Sequence, residues 1–323
     1  MMELAQRLLE GDQRTLARVL SLLERGDPEA VQVLKAIDRH SGRACIVGIT
    51  GPPGVGKSTI ADRLTLLIRQ QGLTVGIIAV DPTSPFTGGA LLGDRIRMQR
   101  HSLDSAVFIR SVTTRGQAGG LPRVVKAMVR LLDAAGKDVI LVETAGVGQT
   151  ELAVMGVADT VVVTLMPESG DVIQTLKAGI MEIADIYLVN KADRVGANQM
   201  ATAITAMLQM GALPLAWTPP VMLSRAHSGE GIDELWTKIQ EHREFLTASS
   251  ELKRRRGLRR KEEFLETVAE ELNRRYRTLV EKDPGLRGIL EDVVRGEAEP
   301  YSAAMELLDS RPFPQSWPAS LSG

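Results

Sequence analysis

Nine consecutive residues, GPPGVGKST at 51–59, carry the most specific chemistry in this chain. They fit the pattern GxxxxGK[ST], in which backbone N–H groups turn inward around a polyphosphate and glycines are needed where side chains would block that turn. Gly51, Gly54 and Gly56 fill that role, Pro52, Pro53 and Val55 complete the loop, and Thr59 closes the run. Lys57 would reach the β and γ phosphates, and the Ser58 hydroxyl would ligate Mg²⁺. A glycine-rich turn with a chance lysine is the bland alternative. Against it, the apolar run ACIVGIT precedes the motif and STIADRLTLLIRQQG follows it, which are the strand and helix that a P-loop requires.

Magnesium and the γ-phosphate need further oxygen ligands, normally at the C-terminal ends of neighbouring strands. Asp81 ends IIAVD, Glu143 ends VILVE, and Asp94 lies in GGALLGDRIRM; each is otherwise a helix cap or a solvated loop residue. A carboxylate closing an apolar strand beside the loop favours Asp81 and Glu143, whereas spacing alone does not fix Asp94. The segment ETAGVGQTE at 143–151 has the form of a γ-phosphate sensor, with the Gly146 N–H able to approach the terminal phosphate. Gln149 either orients the attacking water or hydrogen-bonds within its own loop. Lys57, Asp94, Glu143 and Gln149 are therefore the catalytic candidates. PTSPFTGGALLGDR reads as a mobile switch, and Arg95 and Arg97 beyond its glycines are better suited to surface ion pairs than to transition-state charge.

NKAD at 190–193 selects the base. The Asp193 carboxylate can accept from guanine N1 and N2 together, and adenine offers neither donor, so GTP is the expected nucleotide. Asn190 and Lys191 would support the pocket, with the lysine stem on the base plane. Ser224, Arg225 and Ala226 form a further loop whose backbone amides would cover the base, and Arg225 is bulky for that place.

These groups must be held by strands. ACIVGIT, TVGIIAVD, VFIRSV, DVILVET, TVVVTLM, IYLVNKAD and VMLS are short β-branched runs of the buried parallel kind, and helical stretches such as LPRVVKAMVRLLDAAG and GIDELWTKIQEHREFL separate several of them. The alternation predicts a doubly wound, mostly parallel α/β sheet of the P-loop NTPase class over residues 44–246. Residues 1–43 read as a small helical region, with Asp27 as an N-cap and Pro28 at the first helical position. From 247 to 323 the pattern is helical and charged. Its basic run at 253–261 is followed at once by acidic residues that cancel its field, so it reads as a solvated helix start. Leu265, Val268, Leu272 and Leu279 form an apolar stripe beyond it, and the tail RPFPQSWPASLSG reads as loosely ordered.

Composition excludes several classes. A net charge of -1 from 39 basic and 40 acidic residues steers the chain toward neither nucleic acid nor anionic membrane. Aromatic residues are only 3%, too few for base-stacking platforms. The single Cys45 and four histidines leave no disulfide framework and little for a metal cage, which suits the cytoplasm. The N-terminus has no leader pattern, and nothing approaches the length of a membrane span, so a soluble, unprocessed protein is expected.

Taken together, GITGPPGVGKST, AVDPTSPFTGGALLGDRIRMQR, FIRSVTTRGQAGGLPR, LVETAGVGQTE, MPESGDVIQTLKAGIMEIADIYLVNKAD and SGEGIDELW resemble the methylmalonyl-CoA mutase-associated GTPase family (MeaB/ArgK type) over most of residues 44–236. The resemblance implies that Lys57, Ser58, Asp81, Asp94 and Glu143 form the phosphate and magnesium site. It also implies that Gln174 and Lys177, within residues 166–177, belong to a switch loop that answers a partner. It implies a homodimer using the C-terminal helices, and a G-protein chaperone that gates adenosylcobalamin transfer into an acyl-CoA mutase and protects or reactivates it. A cobalamin adenosyltransferase is a further candidate partner. Arg225 and the doubled Thr113 and Thr114 depart from the family pattern. Competing readings are a metal-insertion GTPase, which should carry a His or Cys cluster near its N-terminus; an ATPase or kinase linked to amino-acid transport, which Asp193 opposes; and a scaffold with an inert pocket.

Overall fold

The β-branched runs assemble into one seven-stranded, all-parallel sheet in the order β3-β2-β4-β1-β5-β6-β7. A computed structural model describes residues 2–81, 99–101, 103–113, 123–144, 146, 150–167, 180–210 and 216–310. The strands are β1 (Cys45–Thr50), β2 (Val75–Asp81), β3 (Val107–Thr113), β4 (Val139–Glu143), β5 (Thr160–Leu165), β6 (Ile186–Val189) and β7 (Val221–Leu223). All seven fall on the runs read from the sequence. Strands β1, β4, β5 and β6 are buried along their whole length without alternation because both faces are covered, whereas the edge strands β3 and β7 are only partly buried. Ile46, Ile78, Ile140 and Val163 pack on one face and Val47, Ile77, Leu141 and Val162 on the other.

Helices α1 (Met2–Leu9), α2 (Gln13–Arg25), α3 (Pro28–Ile37), α5 (Arg123–Ala134) and α7 (Ala197–Gln209) contribute to the first face, and α4 (Lys57–Gln70) and α8 (Ile232–Ala248) to the second. A four-residue helix, α6 (Thr150–Ala153), precedes β5. Asp27 caps α3, accepting from the Glu29 N–H at 2.8 Å, with Pro28 at the first turn as its sequence predicts. Residues 1–43 are not set apart. Leu8, Leu16, Leu20 and Ile37 are fully buried in the same cluster as Met128 and Leu132 of α5. Asp133 of α5 fixes the approach to β1 by accepting from the N–H groups of Gly42, Arg43 and Ala44.

By its contacts the chain divides into two units, residues 1–256 and 257–323. The first therefore runs ten residues beyond the strand-based boundary at 246. The reason is electrostatic. Arg255 meets Asp185 at 3.1 Å, and Arg256 grips Asp159 through both carboxylate oxygens while donating to the Ala44 carbonyl. The second unit contains the rest of α9 (Glu251–Lys282), then α10 (Pro284–Arg295), capped by Asp283, and α11 (Pro300–Ser310). Helix α9 has no buried residue. No described helix is long and apolar enough to cross a membrane.

Candidate functional site

Strand order places the site. Strand β1 lies between β4 and β5, so the loop leaving β1 opens where the chain has turned to both sides of the sheet, the place where α/β folds bind ligands. Residues 51–56 form that loop and α4 begins at Lys57. Gly51 has φ 135° and lies against the Thr164 carbonyl of β5, where a Cβ would come within 2.0 Å. The N-cap of α4 is Gly56, which brings no side chain to the first-turn amides, and its φ is 100°. Those amides and the helix dipole together suit an anion.

The Lys57 ammonium donates to the carbonyls of Gly51 at 2.8 Å and Pro52 at 3.0 Å, which folds it into the loop. Gly146, with φ 77°, is packed against it from the sensor segment. On the other side, the Ser58 hydroxyl donates to Glu143 Oε1 at 2.5 Å, with both residues buried at 6% and 5% exposure. The register Ile49↔Glu143, the Thr144 N–H on the Ile49 carbonyl and the Thr50 to Thr144 hydroxyl contact at 2.9 Å hold β4 to β1 at that level. A buried hydroxyl against a carboxylate is an all-oxygen, net negative donor pair, the set that a hard divalent cation such as Mg²⁺ prefers.

The second half of the site hangs from β6 and β7. Asn190 is buried, and its amide donates to the Val55 carbonyl at 2.7 Å while its Oδ1 accepts from the Ser224 hydroxyl at 3.1 Å and the Ala226 N–H at 3.0 Å. One side chain thus ties the phosphate loop to both loops of the expected base pocket. Lys191 takes a left-handed backbone at φ 58°, unusual for a residue with a side chain, and its ammonium donates to the Gly54 carbonyl at 2.7 Å. Asp193 is exposed. Arg225 turns aside: its guanidinium pairs with Glu230 at 3.0 Å and its N–H donates to the Glu230 carbonyl. All three amides expected to cover the base already have protein acceptors: the Ser224 N–H donates to the Val189 carbonyl, that of Arg225 to the Glu230 carbonyl and that of Ala226 to Asn190 Oδ1.

The structure therefore brings together Gly51–Ser58, Glu143, Gly146, Asn190, Lys191 and Ser224–Ala226, with Thr59 on α4 directly behind. Asp81 is placed by its backbone alone, at the end of β2 opposite Thr113. Asp94, Arg95, Arg97, Thr114, Gln149, Gln174 and Lys177 lie outside the described residues. Sequence reading missed the Thr50 to Thr144 link, the Glu230 partner of Arg225 and the contact of Lys191 with Met166 Sδ at 3.3 Å. Only Glu230 left a trace, as a carboxylate in the turn SGEG just past the loop.

Residues 16–281 match the family described as methylmalonyl Co-A mutase-associated GTPase MeaB. The chain is similar to a putative GTPase of Pyrococcus abyssi, 47% identical over 313 residues and 95% of each chain. It is also similar to a Mus musculus protein described as methylmalonic aciduria type A homolog, mitochondrial, 37% identical over 236 residues, 72% of this chain and 57% of that one. Among solved structures, one described as LAO/AO transport system kinase superposes with a TM-score of 0.72 at 29% identity, covering 95% of this chain and 96% of the other.

Proposed function

Since this chain belongs to the methylmalonyl-CoA mutase-associated GTPase family MeaB, we propose that its GTP cycle gates the loading of adenosylcobalamin into an acyl-CoA mutase of the methylmalonyl-CoA type and protects or reactivates that enzyme. GTP hydrolysis is the activity of the chain itself. The observation that carries the reading is the Asn190 side chain, which makes the phosphate loop and the base loops one mechanical piece.

In this reading Gly51–Ser58 wrap the phosphates, and Lys57 exchanges its two carbonyl partners for phosphate oxygens. Ser58 and Glu143, with Asp81 and Asp94, are the residues that would hold magnesium. When bound, that ion neutralises charge developing between the β and γ phosphates. Gly146 reports the terminal phosphate, Gln149 orients water, and Asp193 selects guanine. Turnover by the chain alone is slow in this reading, and is quickened by a partner answering through Gln174 and Lys177. We place the protein in the cytoplasm as a homodimer, with a cobalamin adenosyltransferase as a second partner. The metal-insertion alternative has no donor cluster to support it, because no group of three or more His, Cys, Asp or Glu residues suited to a metal occurs among the described residues.

Steady-state GTP turnover measured against a panel of cobalamin-dependent acyl-CoA mutases tests the partner. One mutase is expected to raise kcat by on the order of tenfold or more. Unchanged turnover across the panel would sink the partnership and leave the GTPase standing.

A further inference from the structure

Strand β1 leads into the phosphate loop at Thr50, and at its other end, ~17 Å back at Cys45, it borders a separate cavity of about 320 Å³. Cys45 and Val139, the first residues of β1 and β4, line this cavity together with Leu73 and with Trp236 of α8. The indole N–H of Trp236 is committed to Gln71 Oε1 at 3.0 Å, so the tryptophan contributes its apolar ring alone. Protein interiors keep few voids larger than a water molecule, and a volume of this size reaches the range of small-ligand pockets.

The charged part of the lining is unequal in what it leaves uncommitted. Both acids already bond the backbone: Asp133 accepts from the N–H groups of Gly42, Arg43 and Ala44, and Asp138 Oδ2 accepts from the Thr74 N–H and hydroxyl, each at 2.8 Å. The two guanidiniums are held by carbonyls, Arg43 donating to His40 at 3.2 Å and Arg243 to Arg43 at 2.7 Å, and Arg243 also reaches the Cys45 thiol. Neither is in ion-pair contact with a carboxylate among the described residues, whereas Arg69, Arg110, Arg225 and Arg256 of the same unit all are. A guanidinium offers five N–H donors in a planar fork, so most of those at the cavity are unspent. Lys137, its ammonium donating to the Ala106 carbonyl at 3.2 Å, adds a third positive charge to the lining.

We infer that this cavity binds a small organic oxyanion, a carboxylate or phosphate carried on a flat apolar body, with the Arg43 and Arg243 guanidiniums on the oxyanion and Trp236, Leu73 and Val139 against the body. Arginine forks match carboxylate and phosphate oxygens two at a time, and a flat ring stacks on indole. The site is independent of the nucleotide chemistry proposed above, because none of its lining belongs to the phosphate or base loops. Cys45, the one cysteine of the chain, reports on its occupancy. Burial pushes that thiol up to about 11, so its labelling is slow and is followed at raised pH.

The test uses the full chain with GDP saturating the nucleotide site. Benzoate and phenyl phosphate are titrated by calorimetry beside benzamide, the neutral isostere, and inorganic phosphate, the bare anion. Labelling of Cys45 by methyl methanethiosulfonate is timed with and without each. The expected result is saturable binding of an aryl oxyanion at least about tenfold tighter than of benzamide or inorganic phosphate, with Cys45 labelling slowed at the same occupancy. Arg43→Met and Arg243→Met are each expected to weaken that binding by on the order of tenfold, while GTP turnover stays that of wild type. Arg43 is exposed, so its variant stays informative even if Arg243→Met, losing its bond to the Arg43 carbonyl, fails to fold. Benzamide binding as tightly as benzoate overturns the oxyanion, and inorganic phosphate binding as tightly as phenyl phosphate overturns the apolar body. No binding, binding indifferent to the variants, or binding that leaves the labelling rate untouched overturns the site. Labelling that quickens only on dilution of the protein gives the cavity mouth to a second copy of the chain, and overturns the inference too.

Discussion

Glycine at 146 is required by contact as well as by conformation. A Cβ there would come within 2.3 Å of Lys57 Nζ and 2.6 Å of the Gly51 carbonyl, at a φ of 77° that L residues avoid. Gly146→Ala is therefore expected to weaken GTP binding by about tenfold or more in a calorimetric titration, because the ammonium must leave the loop, while the melting temperature falls only slightly. At the base loop, Asp193→Asn exchanges one acceptor for a donor. It should lose affinity for GTP and gain affinity for xanthosine triphosphate, and equal GTP binding by the variant would refute the base assignment. Both loops were legible as sequence because each is a contiguous run with a fixed spacing. The buried contact of Asp62 with His101 was not, since the two stand 39 residues apart and no local pattern announces it. Glu143 was legible only as a strand end; its contact with Ser58 spans 85 residues.

Elements were read where the apolar period was strong. Every strand was visible as an uninterrupted β-branched run, but α7 was not singled out, as its alanines and methionines between NKADRVG and the next strand give a weak stripe. The extension of the first unit to Arg256 was invisible for a different reason. The sequence shows a basic run there, and nothing in it says that two of those arginines meet buried aspartates at the start of β5 and just before β6. His242 of α8 sits in the same region, its Nδ1 2.9 Å from the Thr160 hydroxyl and its Nε2 3.3 Å from Asp185, with the Phe245 ring stacked beside it and the Trp217 ring tilted against it. Burial holds this imidazole below its usual pKa; Asp185 and the more distant Asp159 pull it upward, and Arg255 pushes it down. The folded chain then binds fewer protons than the unfolded chain as pH falls below about 6.5, so stability is lost from there toward the depressed value. Melting temperature should fall between about pH 7.5 and 5.5, and His242→Gln should flatten that slope.

At the scale of the molecule, the second unit leaves large apolar side chains outside: Phe264, Leu265, Val268 and Leu279 of α9 are all exposed, Leu265 at 54%. If this stripe is the proposed homodimer face, Leu265→Glu with Val268→Glu should turn a dimer into a monomer by sedimentation while GTP affinity is retained. A wild-type monomer would dispose of that face. The Asn190 tie has a consequence of another kind. Its bond to Val55 spans 135 residues, and the Lys191 bond to Gly54 spans 137, so both close only after five intervening strands have found their register. Contacts of such separation form late on the folding path. Nucleotide capture should accordingly lag behind recovery of secondary structure in a refolding experiment, and a saturating nucleotide acts on the last step alone, slowing unfolding without hastening collapse.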